Sequence, residues 1–201
     1  MNKKVLNTRN IAFIAIFGAL SAILMVMSLP LPIFPSFYEM DLAEVPSIVG
    51  GLIMGPVAGL FIQVIKIIID FVLNGTATAF VGEFANFIMG GSFVVVTSLI
   101  YKNNKSKKGA IIGLIFGSIT LVIVGALTNY FILLDAYSYF IDLPMEVIIG
   151  MGSKINPVIN NKLTFVLFAT IPFNLLKSIT TSVVVILIYK PISRLIKKYS
   201  K

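Results

Sequence analysis

Residues 45–72, VPSIVGGLIMGPVAGLFIQVIKIIIDFV, decide how many helices this chain forms. The stretch is too long for one regular membrane helix of about 20 residues and too short for two helices of full length. Gly55 and Pro56 lie near its middle, and proline lacks the amide donor that a continuing helix needs. We therefore expect two short helices that turn at this Gly-Pro pair.

The distribution of basic residues supports two helices rather than one. Lys3, Lys4 and Arg9 precede the stretch, a lysine cluster at 102–108 follows it, and a third basic segment at 190–201 closes the chain. None of these segments contains an acid, and such segregation is typical of cytoplasmic loops. An even number of crossings must therefore separate the first two segments. Residues 10–29 and 80–101 supply two crossings, so residues 45–72 must supply two more.

The remaining apolar segments complete the predicted topology. Residues 10–29, 80–101, 109–134 and 163–189 each reach the length of about 20 residues that crosses a bilayer. We expect an all-α integral membrane protein: a six-transmembrane-helix bundle formed by one domain, residues 1–201, with N- and C-termini cytoplasmic. The connection at 30–44 is rich in proline, aromatic residues and acids, which predicts a structured extracellular lid loop between helices 1 and 2.

The composition excludes several classes of function. Hydrophobic residues make up 58% of the chain and charged residues 12%, against about 25% charged in soluble domains. The chain has no Cys and no His, which excludes disulfides, thiol or imidazole catalysis and nearly all zinc sites. We expect no enzyme activity, no metal, no cofactor and no nucleic-acid partner. A phosphate-binding loop of the P-loop type is absent as well, so any uptake must be energised by a partner.

Polar residues inside the predicted helices indicate a binding pocket. A central charge costs about 2.5–3.5 kcal/mol to insert, so each needs a protein partner or a ligand. In the predicted topology these residues converge in the outer half of the bundle, together with an acid of the lid: Glu83, Asn86, Asn129, Asn174, Lys177 and Asp41. The alternative for each is structural, such as an ion pair between Lys177 and Glu83. The convergence of the whole set favours a binding site.

A second polar set, on the helix predicted after Pro56, has a structural interpretation. Gln63, Lys66 and Asp70 share one helical face, and Lys66 and Asp70 are four residues apart. At that spacing the two charges can neutralise each other.

The side chains of the predicted pocket suggest the chemistry of its ligand. Amides donate and accept hydrogen bonds, lysine donates and carboxylates accept. Aromatic residues nearby could supply flat apolar surface: Phe34, Phe37, Tyr38, Phe80, Phe84, Tyr130 and Phe173. The ligand should be planar at one end and rich in hydroxyl or amide groups elsewhere.

The first predicted helix offers a surface for a partner. Ala12, Ala15, Ala19 and Ala22 follow one stripe, and small residues at such spacing let helices approach closely. The same stripe could equally hold the protein's own bundle together.

Several motifs taken in order resemble one family. They are Ala15-x-x-x-Ala19, PSFYEMDLAEVPSIVGGLIMGPVAG at 35–59, VGEFANFIMGG at 81–91, TNY at 128–130 and PFNLLK at 172–177. The chain resembles the substrate-binding subunits (S components) of energy-coupling factor (ECF) vitamin transporters, and among them the riboflavin-specific subunits.

This resemblance implies a six-helix protein of the bacterial cell membrane that binds riboflavin, and related flavins, from outside with high affinity. It implies association with a transmembrane coupling subunit, met by Ala15 and Ala19, and with two ATPase subunits. In the matched motifs, the resemblance implies that Asn129, Asn174 and Lys177 contact the flavin. Glu83 and the lid around Asp41 would assist in binding. Two alternatives stay open: a sibling subunit for another vitamin, and a structural membrane protein without a transport role.

Overall fold

The computed structural model describes residues 7–76 and 78–193 and is mostly helical. Within these residues, five helical segments are long and apolar enough to cross a membrane, and a sixth apolar helix is shorter. The helices are α1 (Thr8–Val26), α2 (Glu44–Met54), α3 (Pro56–Asn74), α4 (Val81–Asn103), α5 (Lys107–Thr128), α6 (Leu134–Phe140), α7 (Met145–Ser153), α8 (Lys162–Phe165) and α9 (Ile171–Leu187).

The predicted break at Gly55 and Pro56 is confirmed, but the two helices it separates differ in length. Gly55 takes φ 103°, which glycine adopts readily, and Pro56 is the first residue of α3. Helix α2 has 11 residues and α3 has 19. The expectation of two short helices is therefore wrong for α3, which has the length of a full span.

Helix α2 is surrounded by the rest of the protein along most of its length. Each residue from Glu44 to Leu52 is buried, and Ile48 is fully so. The α2 glycines allow close packing: a Cβ at Gly51 would overlap Ser98 of α4, and one at Gly50 would overlap Ile62 of α3. The helix thus forms part of the core rather than a lipid-facing wall.

The two longest helical segments each contain a π-helical turn. Asn129–Leu133 joins α5 to α6, so that the helix continues to Phe140, and Val166–Thr170 joins α8 to α9. The fifth span thus extends past its predicted end at residue 134. Single π turns are often found at functional sites because they redirect the side chains around them.

The connections that hold the site lie at one end of the bundle. Residues 27–43, called here the α1–α2 loop, contain a two-stranded antiparallel ribbon, β1 (Leu29–Pro30) with β2 (Glu39–Met40). In the α6–α8 connection, the apolar residues 147–151 lie in α7, whose Ile148 is buried. The lysine-rich connection between α4 and α5 lies at the opposite end of these helices and is exposed.

Candidate ligand-binding site

A cavity of about 630 Å³ lies beneath the α1–α2 loop. Its walls come from the ends of α1 and α3, the start of α4, the π turn after α5, and α9. Roughly 300–1,000 Å³ is usual for pockets that enclose small organic ligands. Of the predicted site residues, Asp41, Glu83, Asn86, Asn129 and Lys177 line this cavity.

An ion pair joins the loop to α9 at the cavity wall. Lys177 Nζ donates to Asp41 Oδ2 at 2.7 Å, with the side chains 12% and 5% exposed. Asp41 Oδ1 also accepts from the backbone N–H of Ala43 at 2.8 Å. Burial opposes ionisation of Asp41, but the charges of Lys177 and Lys66 outweigh it and hold the pKa of Asp41 below its ordinary value. The alternative pairing of Lys177 with Glu83 is wrong in this structure.

Tyr38 gives the loop a second attachment to α9 and a contact with the π turn after α5. Its ring stacks on Phe173 of α9, with ring centroids 4.8 Å apart and planes 12° from parallel. Its hydroxyl donates to Asn129 Oδ1 at 3.1 Å and can accept from the hydroxyl of Thr170 at 2.7 Å. Burial raises the pKa of Tyr38 well above its usual range, so the hydroxyl keeps its proton for donation. The flat apolar surface that the sequence suggested thus comes from Tyr38, Phe173 and the nearby Phe37.

The two predicted asparagines of this wall differ in position. Asn129 lines the cavity from the π turn, and its Nδ2 donates to the carbonyl of Gly125 at 2.8 Å. Asn174 is buried behind the wall, where its Nδ2 donates to the carbonyl of Thr170 at 3.0 Å. Helical carbonyls therefore hold both amides in place, and Asn174 is not among the cavity-lining residues.

Lys66 has a different partner from the one predicted. Its Nζ donates to Glu44 Oε1 at 2.7 Å and to Asn86 Oδ1 at 2.6 Å, and Glu44 also accepts from Gln63. The predicted neutralisation of Lys66 by Asp70 is therefore wrong, because α2 places Glu44 nearer to it. The interpretation of Gln63 and Lys66 as structural is consistent with their complete burial.

Sequence reasoning missed part of the α3–α4 side of the cavity. Asp70 lines the cavity and accepts from Asn74 Nδ2 at 2.8 Å, and Glu83 accepts from the Thr78 hydroxyl at 2.9 Å. Asp70 and Asn74 are four residues apart on α3, a spacing that could have identified this polar face. Of the other predicted aromatic residues, Phe80 and Phe84 are about half exposed and do not line the cavity.

The alanines of the first helix lie away from the cavity. Ala12 and Ala15 are exposed, Ala19 is half-buried and Ala22 is fully buried. The buried end of the stripe belongs to the protein's own packing, since a Cβ at the neighbouring Gly18 would overlap Ile65 of α3. The exposed end of the stripe, at Ala12 and Ala15, is accessible to a partner protein.

Comparisons with known proteins agree on one family. The family model for the substrate-specific component of ECF transporters matches residues 9–189. The chain is 32% identical to the riboflavin transporter RibU of Staphylococcus aureus, over 92% of this chain and 90% of the relative. It is 29% identical to the riboflavin transporter FmnP of Bacillus subtilis, over 92% of each chain.

A solved S component of a bacterial ECF transporter has the same fold. It superposes with a TM-score of 0.73 at 32% sequence identity, over 94% of this chain and 98% of the solved one.

Proposed function

This chain belongs to the family of ECF transporter substrate-specific components, and we propose that it binds riboflavin in the cavity beneath the α1–α2 loop for uptake into the cell. As a transport component it is a multi-pass membrane protein and not an enzyme. The relatives named as riboflavin transporters, including RibU and FmnP, support this choice of vitamin.

The observation that carries the proposal is the composition of the α5–α9 side of the cavity. Tyr38 and Phe173 are stacked there, beside the amide of Asn129 and the ammonium of Lys177. Riboflavin has a planar three-ring system with an imide edge that donates and accepts hydrogen bonds. Aromatic faces match the rings, while an amide and an ammonium match the imide edge. Asn174, buried behind this wall, would contribute as a second amide if the wall adjusts on binding.

The orientation in the membrane follows from the charges. We place the lysine-rich α4–α5 connection and both termini in the cytoplasm, according to the positive-inside rule. Most basic residues of the two termini lie outside the described residues, so this part rests on the sequence. The α1–α2 loop then lies outside the cell and covers the cavity as a lid, which lets the site take up its ligand from the medium.

Energy for uptake would come from a separate coupling subunit and two ATPase subunits. We assign the docking of the coupling subunit to two alanines of α1, the exposed Ala15 and the half-buried Ala19. Small side chains there permit close approach of a partner helix within the bilayer.

The test is the visible absorption spectrum of the protein purified in detergent from cells grown with riboflavin. We expect flavin absorbance, with about one flavin per chain released on denaturation. A colourless protein that also fails to quench the fluorescence of added riboflavin would overturn the choice of vitamin. In that case a panel of other vitamins would test the sibling-subunit alternative.

A further inference from the structure

Among the described residues, the two carboxylates on the α3–α4 side of the cavity, Asp70 and Glu83, have no cationic partner. Asp70 is 8% exposed and accepts from the amide of Asn74, while Glu83 accepts from the hydroxyl of Thr78. Among the described residues, the ion pairs of this region are Lys177 with Asp41 and Lys66 with Glu44, and neither Asp70 nor Glu83 takes part. A carboxylate can accept about four hydrogen bonds, so both have acceptor capacity left.

These carboxylates make the α3–α4 side of the cavity chemically different from the α5–α9 side. The cavity is lined by four carboxylates and by one lysine, which Asp41 already neutralises: Glu39, Asp41, Asp70, Glu83 and Lys177. Glu83 lies in the first turn of α4, where the helix dipole favours a negative charge. The α3–α4 side therefore accepts hydrogen bonds and carries net negative charge, while the flat aromatic surface lies on the other side.

The hydrogen-bonding needs of Asp70 indicate a ligand. A carboxylate more than nine-tenths buried is costly unless it is paired or well hydrogen-bonded, and a single side-chain amide satisfies it only in part. Hydroxyl groups of a ligand would supply the missing donors. They would do so without adding a charge that the surrounding helices must accommodate.

We propose that Asp70 and Glu83 determine specificity: they accept hydrogen bonds from the hydroxyl chain of riboflavin and exclude its 5′-phosphate ester. This inference rests on the proposed function. With the flavin rings on the α5–α9 side, the hydroxyl chain of riboflavin faces α3 and α4. A phosphate monoester brings a charge of about −1.5 to −2 at pH 7. Two carboxylates without a cationic partner repel that charge, and beside low-dielectric protein they do so more strongly than in bulk water.

The experiment compares three flavins on charge-neutral variants. Asp70→Asn, Glu83→Gln and the double variant would be titrated with riboflavin, with riboflavin 5′-phosphate and with lumiflavin, which lacks the hydroxyl chain. Quenching of flavin fluorescence gives each Kd. The matched control is Glu146→Gln, since Glu146 is an exposed acid of α7 that does not line the cavity.

We expect the unmodified protein to prefer riboflavin over its phosphate at least about tenfold, and each single variant to reduce that preference by roughly three- to tenfold. The Kd for lumiflavin should change less than twofold, and the control should keep all three values. A purely structural role for the carboxylates would instead weaken all three flavins together.

The failure of this inference differs from the failure of the proposed function. Equal binding of riboflavin and its phosphate by the unmodified protein would overturn the inference, as would an unchanged preference in both single variants. In either case riboflavin binding itself would stand. If the unmodified protein bound none of the three flavins, the proposed function would fail.

Discussion

Lys177 Nζ lies 2.7 Å from Asp41 Oδ2, although 136 residues separate the two in the sequence. The pair connects α9 to the α1–α2 loop and explains how a lysine is accommodated within a membrane helix. Both groups also line the cavity, so the pair that fixes the loop belongs to the wall that would face a ligand.

Replacing Lys177 tests whether the pair stabilises the loop and whether Lys177 binds the ligand. Lys177→Ala leaves Asp41 buried without its cation, and breaking a buried pair in this way costs about 3–5 kcal/mol. We expect a lower Tm in detergent and a loss of riboflavin affinity of at least about a hundredfold. The double variant Lys177→Ala with Asp41→Ala removes both charges and should recover much of the Tm without recovering affinity.

Lys162 provides the control for Lys177. It pairs with Asp135 at 2.7 Å, but its partner's side chain is 60% exposed. Lys162→Ala should change Tm and affinity little, because exposed pairs contribute about 0–1 kcal/mol. Normal riboflavin binding by Lys177→Ala would contradict the assignment of this lysine to the site.

Tyr38 should control how long the ligand stays bound. Tyr38→Ala removes the stack on Phe173 and the hydrogen bonds to Asn129 and Thr170, so only part of the loop's attachment to α9 remains, including the Asp41–Lys177 pair. We expect riboflavin to dissociate about tenfold faster in stopped-flow fluorescence, as for the loss of an aromatic contact and a hydrogen bond. Tyr38→Phe keeps the ring and should have a smaller effect.

Phe80→Ala is the matched aromatic control for Tyr38. Phe80 is 54% exposed, packs on Phe71 and does not line the cavity. Its loss should leave the dissociation rate unchanged. Equal rates for Tyr38→Ala and Phe80→Ala would show that the loop attachment does not retain the ligand.

Gly90 tests the buried cluster around Glu44. A Cβ at Gly90 would overlap the Glu44 carboxylate, which holds Lys66 and Gln63. Gly90→Ala should therefore lower the Tm, at a cost of about 1–3 kcal/mol for overpacking. Gly150 on α7 is the control, because a Cβ there meets no atom within 4 Å. A Tm for Gly90→Ala equal to that of Gly150→Ala would contradict the packing described.

Bulky residues on α1 test the assignment of the docking surface. Ala15→Trp with Ala19→Trp should spare riboflavin binding in detergent, since neither alanine lines the cavity. Co-purification with the coupling subunit should be lost, because a tryptophan prevents the close helix approach that small residues allow. Leu127→Trp, at a residue of α5 that is 52% exposed, controls for a lipid-facing tryptophan. An intact complex with both alanines replaced would overturn the assignment.

Features that depend on local sequence were predictable. Apolar length located four of the five long spans, and the chemistry of glycine and proline located the break between α2 and α3, although α3 was expected to be short. Helical spacing could not reveal that α2 is buried from Glu44 to Leu52, because that burial comes from the neighbouring helices.

Features that depend on tertiary contacts were harder to predict. Helical spacing indicated Asp70 as the partner of Lys66, but α2 brings Glu44 closer. Nothing in the sequence around Lys177 indicates Asp41 as its partner. The carbonyl that holds Asn174 belongs to a π turn, which the sequence pattern does not reveal. The set of polar residues was therefore predictable, but their pairing was not.

The most direct measurement is a calorimetric titration of the purified protein with riboflavin, beside the same titration of Lys177→Ala. The account predicts saturable binding at one riboflavin per chain for the unmodified protein and a loss of at least about a hundredfold in affinity for the folded variant. Riboflavin binding of equal affinity by both proteins, or by neither, would contradict the central claim that this cavity is a flavin site.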